Sequence, residues 1–249
     1  MADLSARRTT FRALHEDSCF VLPNPWDIGS ARRLEKLGFK ALASSSAAAA
    51  QALGLTDYQI DLEQCLDHLA MLVGATDLPV NADFENAFGD APADVTTNVT
   101  RAIATGVAGL SIEDQHGGAL YPIDLAVERI AAARAAINAS GKDVILVGRT
   151  EGRLWNLSTP QEAVDRLVAY ADAGADCLYA PGVTDSGEIA TIVRAVAPKP
   201  VNVLIMNADM RVPDLAALGV RRVSVGGALA GAAWTAFDKA AAALAAQAV

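Results

Sequence analysis

The chain has 249 residues, 52% of them hydrophobic and 20% charged, enough for one large domain with a real core and incompatible with disorder. Twenty basic and 29 acidic side chains leave a net charge of −9, which repels phosphate backbones and anionic lipid and argues against nucleic-acid and membrane partners. Cys19, Cys65 and Cys177 are too few and too scattered for a disulfide framework or a zinc site, and they fit a reduced, cytoplasmic compartment.

In chain order, the first 18 residues lack the apolar core of a signal peptide. The apolar run Phe20–Pro23 leads into Asn24-Pro25-Trp26-Asp27. There Asp27 caps a helix over Ala31–Leu37 that Gly38 stops. Ala41–Ser44 ends in Ser44-Ser45-Ser46, followed by Ala47–Ala50, read as closely packed helix. Pro79–Asp83 ends in Asp83-Phe84-Glu85, and Gly109–Ile112 in Glu113-Asp114-Gln115-His116. Val144–Arg149 ends in Arg149-Thr150-Glu151. Thr159-Pro160-Gln161-Glu162 opens a helix, with Thr at the N-cap, Pro at the first position and Glu in the first turn; it runs to Ala173-Gly174. Cys177–Ala180 and Val201–Leu204 follow, the latter carrying Asn202. Arg222–Val225 ends in Gly226-Gly227, and Gly106, Gly141 and Gly219 stop further helices. The Ala240–Ala246 tract is also read as close helix packing; Asp238 and Lys239 interrupt it, so no membrane span is expected.

The runs are short, rich in Val and Ile, and apolar throughout rather than alternating, the pattern of strands buried on both faces of a parallel sheet. Eight strand–helix alternations in about 250 residues predict a (β/α)8 barrel of the TIM type, one domain over residues 1–249. A doubly wound open sheet is the runner-up.

In a barrel, function sits at the C-terminal ends of the strands. Asp83 and Glu85 are two apart, so on an extended segment they point the same way. Glu113 ends the neighbouring strand. Three such carboxylates repel one another unless neutralised. Either they hold a hard divalent cation, Mg²⁺ or Mn²⁺, or each caps a helix or pairs with an arginine. Arg149 either clamps a substrate carboxylate or makes an internal ion pair with Glu113 or Glu151. Ser44, Ser45 and Ser46 form either an anion-binding turn or a plain loop; no Gly-x-Ser-x-Gly elbow marks a serine nucleophile. Gly226-Gly227 stands where many barrels hold phosphate, and close helix packing explains it better. His15 and His68 fall on helices, which leaves His116 as the histidine placed for chemistry.

These stretches, in the same order along nearly the whole chain, resemble the isocitrate lyase/phosphoenolpyruvate mutase superfamily: Asn24-Pro25-Trp26-Asp27, Pro79 to Glu85, Gly109 to Gln115, Gly148 to Glu151, Ala173-Gly174-Ala175-Asp176 and Pro200 to Leu204. The resemblance implies an α/β barrel whose last helix is swapped onto a neighbouring subunit in a homotetramer or dimer. It also implies Mg²⁺ and a small 2-oxo acid. By the same resemblance, Asp83 matches the direct metal ligand, Glu85 and Glu113 further metal-site acids, and Asp57 the acid on the loop after the second strand. Ser45 and Ser46 match the Ser-Gly pair that holds the substrate carboxylate, and Arg149 the substrate-binding arginine; Ser44 and Asn202 complete the expected substrate contacts.

Two departures stand out. Where lyases of the family carry Lys-Lys/Arg-Cys-Gly-His, this chain reads His116-Gly117-Gly118-Ala119-Leu120-Tyr121-Pro122, with no Cys or Lys. That leaves His116, Tyr121 or water as proton donor, and Gly117-Gly118 as a lid. The mutase pattern of Glu-Asp-Lys is also absent. The implied activity is a Mg²⁺-dependent C–C lyase or decarboxylase acting on an oxaloacetate-like 2-oxo or 2-hydroxy dicarboxylic acid through an enolate. The alternative is P–C chemistry of the phosphonopyruvate hydrolase or phosphonomutase kind, and the third reading is a non-catalytic ligand binder.

Overall fold

Eight parallel strands, in the order β1-β10-β9-β8-β7-β4-β3-β2, wrap around a central axis in the computed structural model, which describes residues 3–16 and 18–247. Each is one of the apolar runs read from the sequence: β1 (Phe20–Leu22), β2 (Leu42–Ala43), β3 (Val80–Asp83), β4 (Gly109–Glu113), β7 (Ile145–Arg149), β8 (Cys177–Tyr179), β9 (Val201–Leu204) and β10 (Arg222–Ser224). The remaining two, β5 (Gln115–His116) and β6 (Ala119–Leu120), form a small antiparallel hairpin after β4. β1 pairs with β10, and the Ala43 N–H reaches the Pro23 carbonyl at 3.0 Å. The sheet therefore closes into the expected TIM-type barrel rather than an open doubly wound sheet.

The helices are α1 (Leu4–Glu16), α2 (Ile28–Lys36), α3 (Ser46–Ala52), α4 (Leu62–Ala75), α5 (Pro92–Ala104), α6 (Ile123–Ala139), α7 (Pro160–Asp172), α8 (Ser186–Ala195), α9 (Val212–Ala217) and α10 (Ala228–Ala245). Local chemistry sets several of their ends. Asp27 caps α2 and Thr159 caps α7, each in a reciprocal box with the residue three later, Ser30 and Glu162. Pro160 sits in the first turn of α7, where its missing N–H costs nothing.

Two apolar clusters result. The larger lies between strands and helices; the smaller fills the lower barrel with Leu22, Ala41, Ala43, Ala108, Ile145, Val147 and Cys177. Phe11 from α1 belongs to the smaller cluster and is fully buried. A Cβ on Gly109 would stand 2.7 Å from the Phe11 ring, so Gly109 makes room for this plug. Helix α1 thus closes the barrel floor, a role its sequence did not announce. Arg7 and Arg8 anchor it by donating to the carbonyls of Val73 and Ile103 in the last turns of α4 and α5; Arg8 also bonds the Val107 carbonyl.

The two alanine tracts differ. Ala48, Ala49 and Ala50 are buried as expected. Ala240–Ala246 is exposed or nearly so, against expectation, because α10 extends away from the barrel and only Ala230 of it is buried. Small side chains permit close packing; they do not supply the neighbour. Among the described residues, no helix is long and apolar enough to cross a membrane.

Candidate active site

Strand register brings the predicted residues to one mouth. The β4–β7 pairing sets Glu113 beside Arg149, and β3 ends at Asp83 one strand further on. Arg149 Nη1 donates to Asp83 at 2.9 Å, Nη2 lies 3.3 Å from Glu113, and Nε donates to Glu151. The Tyr179 ring covers the guanidinium, its centroid 5.2 Å from Cζ. Burial pulls the Arg149 pKa down, but Glu151, Glu113 and Asp83 outweigh it and hold the pKa well above the usual arginine value. Every polar edge of Arg149 thus meets a carboxylate: of the two readings left open for it, this arrangement is the internal ion pair.

The serine turn serves Asp83. Ser44 Oγ accepts the Asp83 N–H at 2.8 Å. Ser45 is the N-cap of α3, its hydroxyl accepting the Ala48 N–H. The Ser46 N–H and hydroxyl reach Asp83 Oδ2 at 3.0 and 3.1 Å, and the same hydroxyl lies 3.2 Å from Asp57 Oδ1. Asp57 sits at the solvent-facing rim, where packing around its carboxyl and then the charge of Asp83 raise its pKa.

Glu85 shows where strand periodicity fails. The backbone leaves β3 after Asp83, and Glu85 takes a left-handed φ of 43°, followed by Ala87 and Phe88 at 60° and 54°. The rule that residues two apart share a side holds only on extended chain, so it does not apply here. Glu85 is 5% exposed. Burial, then the charges of Asp83 and Asp57, push its carboxyl up to about 8.

A polar cavity of about 180 Å³ opens between these groups. Ser44, Ser45, Ser46, Asp57, Asp83 and Arg149 line its upper part, and Asn81, Ser111, Ser224 and Arg222 line it further along the strands. Asn24 buttresses it, donating to the Ser44 carbonyl and accepting from the N–H groups of Val225 and Gly226. Asn202 does not line it. Its amide bridges Ser224 and Arg222 from within the sheet. His116 lies outside as well, on the β5–β6 hairpin beside a second recess shared with Glu85 and Tyr58. Its Nδ1 is 2.7 Å from Asp90, which also accepts the Tyr121 hydroxyl at 2.6 Å.

The sequence reading named one further participant only as a partner for Arg149, and missed another. Glu151 is fully buried and accepts from both Arg149 and the Trp155 indole N–H. Its spacing from Arg149 was a usable signal. Tyr58 hydrogen-bonds Glu113 through its hydroxyl, and burial together with Glu113 and Glu151 raises its pKa. Nothing in a loop tyrosine marks that.

The acids also bear on the expected cation. Among the described residues, no three His, Cys, Asp or Glu side chains are gathered as a ready-made ligand set; Asp83, Glu113 and Glu151 are spread around the Arg149 guanidinium instead. Yet Glu85 Oε1 and Glu113 Oε1 are buried without a hydrogen-bond partner. Burial also holds the Glu113 pKa well above the ordinary range. Under-satisfied carboxylate oxygens are a hard-cation donor set, so the chemistry of these residues fits a divalent ion.

The family model described as phosphoenolpyruvate phosphomutase matches residues 11–245. A crystal structure of a candidate lyase/mutase from Burkholderia cenocepacia superposes with a TM-score of 0.94 at 48% identity, covering 96% of this chain and 89% of that one. An uncharacterised protein of Mycobacterium tuberculosis is 31% identical over 219 residues, 87% of this chain and 81% of the relative. An oxaloacetate decarboxylase of a Bradyrhizobium strain is 33% identical over 230 residues, 88% of this chain and 77% of the relative. With a matching barrel and a family match over almost its whole length, the chain belongs to the phosphoenolpyruvate phosphomutase family, within the isocitrate lyase/phosphoenolpyruvate mutase superfamily.

Proposed function

We propose that the protein is a divalent-cation-assisted C–C lyase or decarboxylase acting on a small 2-oxo or 2-hydroxy dicarboxylic acid, oxaloacetate or a near relative. The observation that carries this reading is the group of carboxylates Asp83, Glu85 and Glu113 at the C-terminal ends of the strands: Glu85 Oε1 and Glu113 Oε1 are buried without a hydrogen-bond partner, and Asp83 lines a small polar cavity. The likeness to an oxaloacetate decarboxylase supports it.

Asp83, Glu85 and Glu113 would hold Mg²⁺, or Mn²⁺, whose chemistry there is to draw electron density from a carbonyl oxygen. The chain supplies the rest. Arg149, fixed by three acids and stacked on Tyr179, keeps positive charge at the place where negative charge develops. Ser46 holds Asp83 in place through two hydrogen bonds. Asp57, at the rim beside Ser46, is the acid placed to pass a proton to the carbon left electron-rich when the neighbouring C–C bond breaks and carbon dioxide departs. His116 stands outside the cavity and receives no step.

The test is release of pyruvate from oxaloacetate with Mg²⁺. Turnover above the metal-only rate is expected. No release across a panel that includes 2-methylisocitrate and dimethylmalate overturns the reading. The family description favours one rival, P–C chemistry; phosphorus NMR showing conversion of phosphonopyruvate would replace the C–C assignment with it.

The same proposal gives the chain a second copy of itself as partner, through a swapped α10. The helix exposes the apolar side chains of Trp234, Phe237 and Leu244. Light scattering should show a dimer or tetramer that Phe237→Glu disperses; a monomeric parent protein refutes this part. The cytoplasm is the proposed compartment, from the three free thiols.

A further inference from the structure

Arg222 is the buried cation that the lyase reading leaves unused. It is the first residue of β10, level with Asn202 of β9, and it is 3% exposed. Its Nε donates to Asn202 Oδ1 at 3.0 Å and its Nη1 to Asn81 Oδ1 at 3.3 Å. Both amides are locked in orientation by their other end: Asn202 donates to Ser224 Oγ, and Asn81 to the Ala82 carbonyl. Nη1 also faces His15 Nε2 at 3.5 Å. His15 Nδ1 is 2.8 Å from the Phe11 carbonyl, so the ring donates there and presents a lone pair to Arg222.

All these partners are neutral. Among the described residues, no ion pair includes Arg222, and its Nη2 makes no hydrogen bond. The other buried arginines differ. Arg7 pairs with Asp77, Arg8 and Arg129 are taken up by main-chain carbonyls, and Arg149 by three acids. Arg222 alone of these combines a free edge with a place on the cavity wall. A desolvated guanidinium without a counter-charge is costly, and its planar fork matches a carboxylate.

The geometry points to Arg222 as an anion-binding floor for the cavity, taking one carboxylate of a small dicarboxylic ligand or, in its absence, a free monovalent anion. The dicarboxylate rests on the lyase reading; the anion site does not. The ligand then spans the cavity, with an anionic end on Arg222 and its reacting end among the acids near Arg149. This division of labour explains why Arg149 has no free edge.

The experiment uses full-length, chelator-treated protein, with sodium malonate and sodium bromide as probes. Calorimetric titration should show malonate binding at least tenfold weaker in Arg222→Gln, with Arg222→Lys in between. Crystals in bromide should show an anomalous peak beside Nη2. Loss of that peak on adding malonate identifies the ligand carboxylate as occupant, and a peak that malonate leaves in place identifies the free anion. A folded Arg222→Gln that binds malonate like the parent, with no bromide beside Arg222, overturns the inference. Should Arg222→Gln fail to fold, the bromide and malonate density in the parent protein decides alone. A protein that releases no pyruvate yet holds an anion at Arg222 fails the lyase reading and keeps this one; the reverse result does the opposite.

Discussion

The mouth and the floor of this barrel each contain one buried arginine, and the two are solved in opposite ways. At the mouth, Arg149 is surrounded by Asp83, Glu113 and Glu151, an excess of negative charge around one cation. At the floor, Arg222 is held by two neutral amides and a neutral imidazole, with no acid in ion-pair contact among the described residues. The mouth is short of positive charge and the floor of negative charge. A polar cavity joins them. The difference teaches that a cluster of like residue types at strand ends says little about which of them is available: availability depends on what each is already bonded to.

The strongest way to break the comparison is to remove the mouth's cation. Arg149→Met strands three buried carboxylates, and unfolding titrations should report a loss of about 3–5 kcal/mol, the usual range for uncompensating a buried pair. A near-neutral result would mean the acids are already protonated. At the floor, Phe11→Ala empties the centre of the α1 plug, which should cost about 3 kcal/mol or more by the same measurement; a smaller loss would show that α1 is dispensable to the barrel.

Asp83→Ala tests chemistry rather than folding. With Ser46 deprived of its acceptor and the acid cluster broken, turnover should fall about a hundredfold or more, and chelation of the parent protein should do the same. Equal rates before and after chelation would remove the cation from the account.

The floor also has a pH dependence. Burial, and then the charge of Arg222, lower the His15 pKa from 6.5 to about 3. Between those values the unfolded chain binds the proton that the folded chain refuses. Stability is therefore complete above about pH 6.5 and declines as pH falls towards 3. His15→Gln should flatten this part of the melting-temperature profile; an unchanged slope would place the acid sensitivity elsewhere. The smallest effect is a control remote from both arginines: Thr159→Ala, which removes the α7 N-cap, should cost about 1 kcal/mol without altering ligand binding.

Much of the mouth was readable beforehand because it is made of local signals. Asp83, Glu113 and Arg149 sit at the ends of apolar runs, and a barrel puts such ends together whatever the loops do. Glu85 was placed on the wrong argument, since its left-handed backbone cancels the alternation that pairs it with Asp83. Asn202 and His116 were legible as polar residues near strand ends, but not as residues lying outside the cavity. Asn202 is pulled into the sheet by Ser224 and Arg222, and His116 away from the cavity by Asp90.

The amino-acid order by itself determined the eight strands, the capped helices that separate them and the barrel they close, because periodicity, caps and glycine stops act between residues close in the chain. Only the tertiary structure decided that Arg149 is enclosed by acids, that α1 plugs the floor, that α10 stands away from its own barrel and that Arg222 makes no ion pair among the described residues. Those outcomes depend on register and closure between strands far apart in sequence, and on the presence or absence of a neighbour that no local pattern encodes.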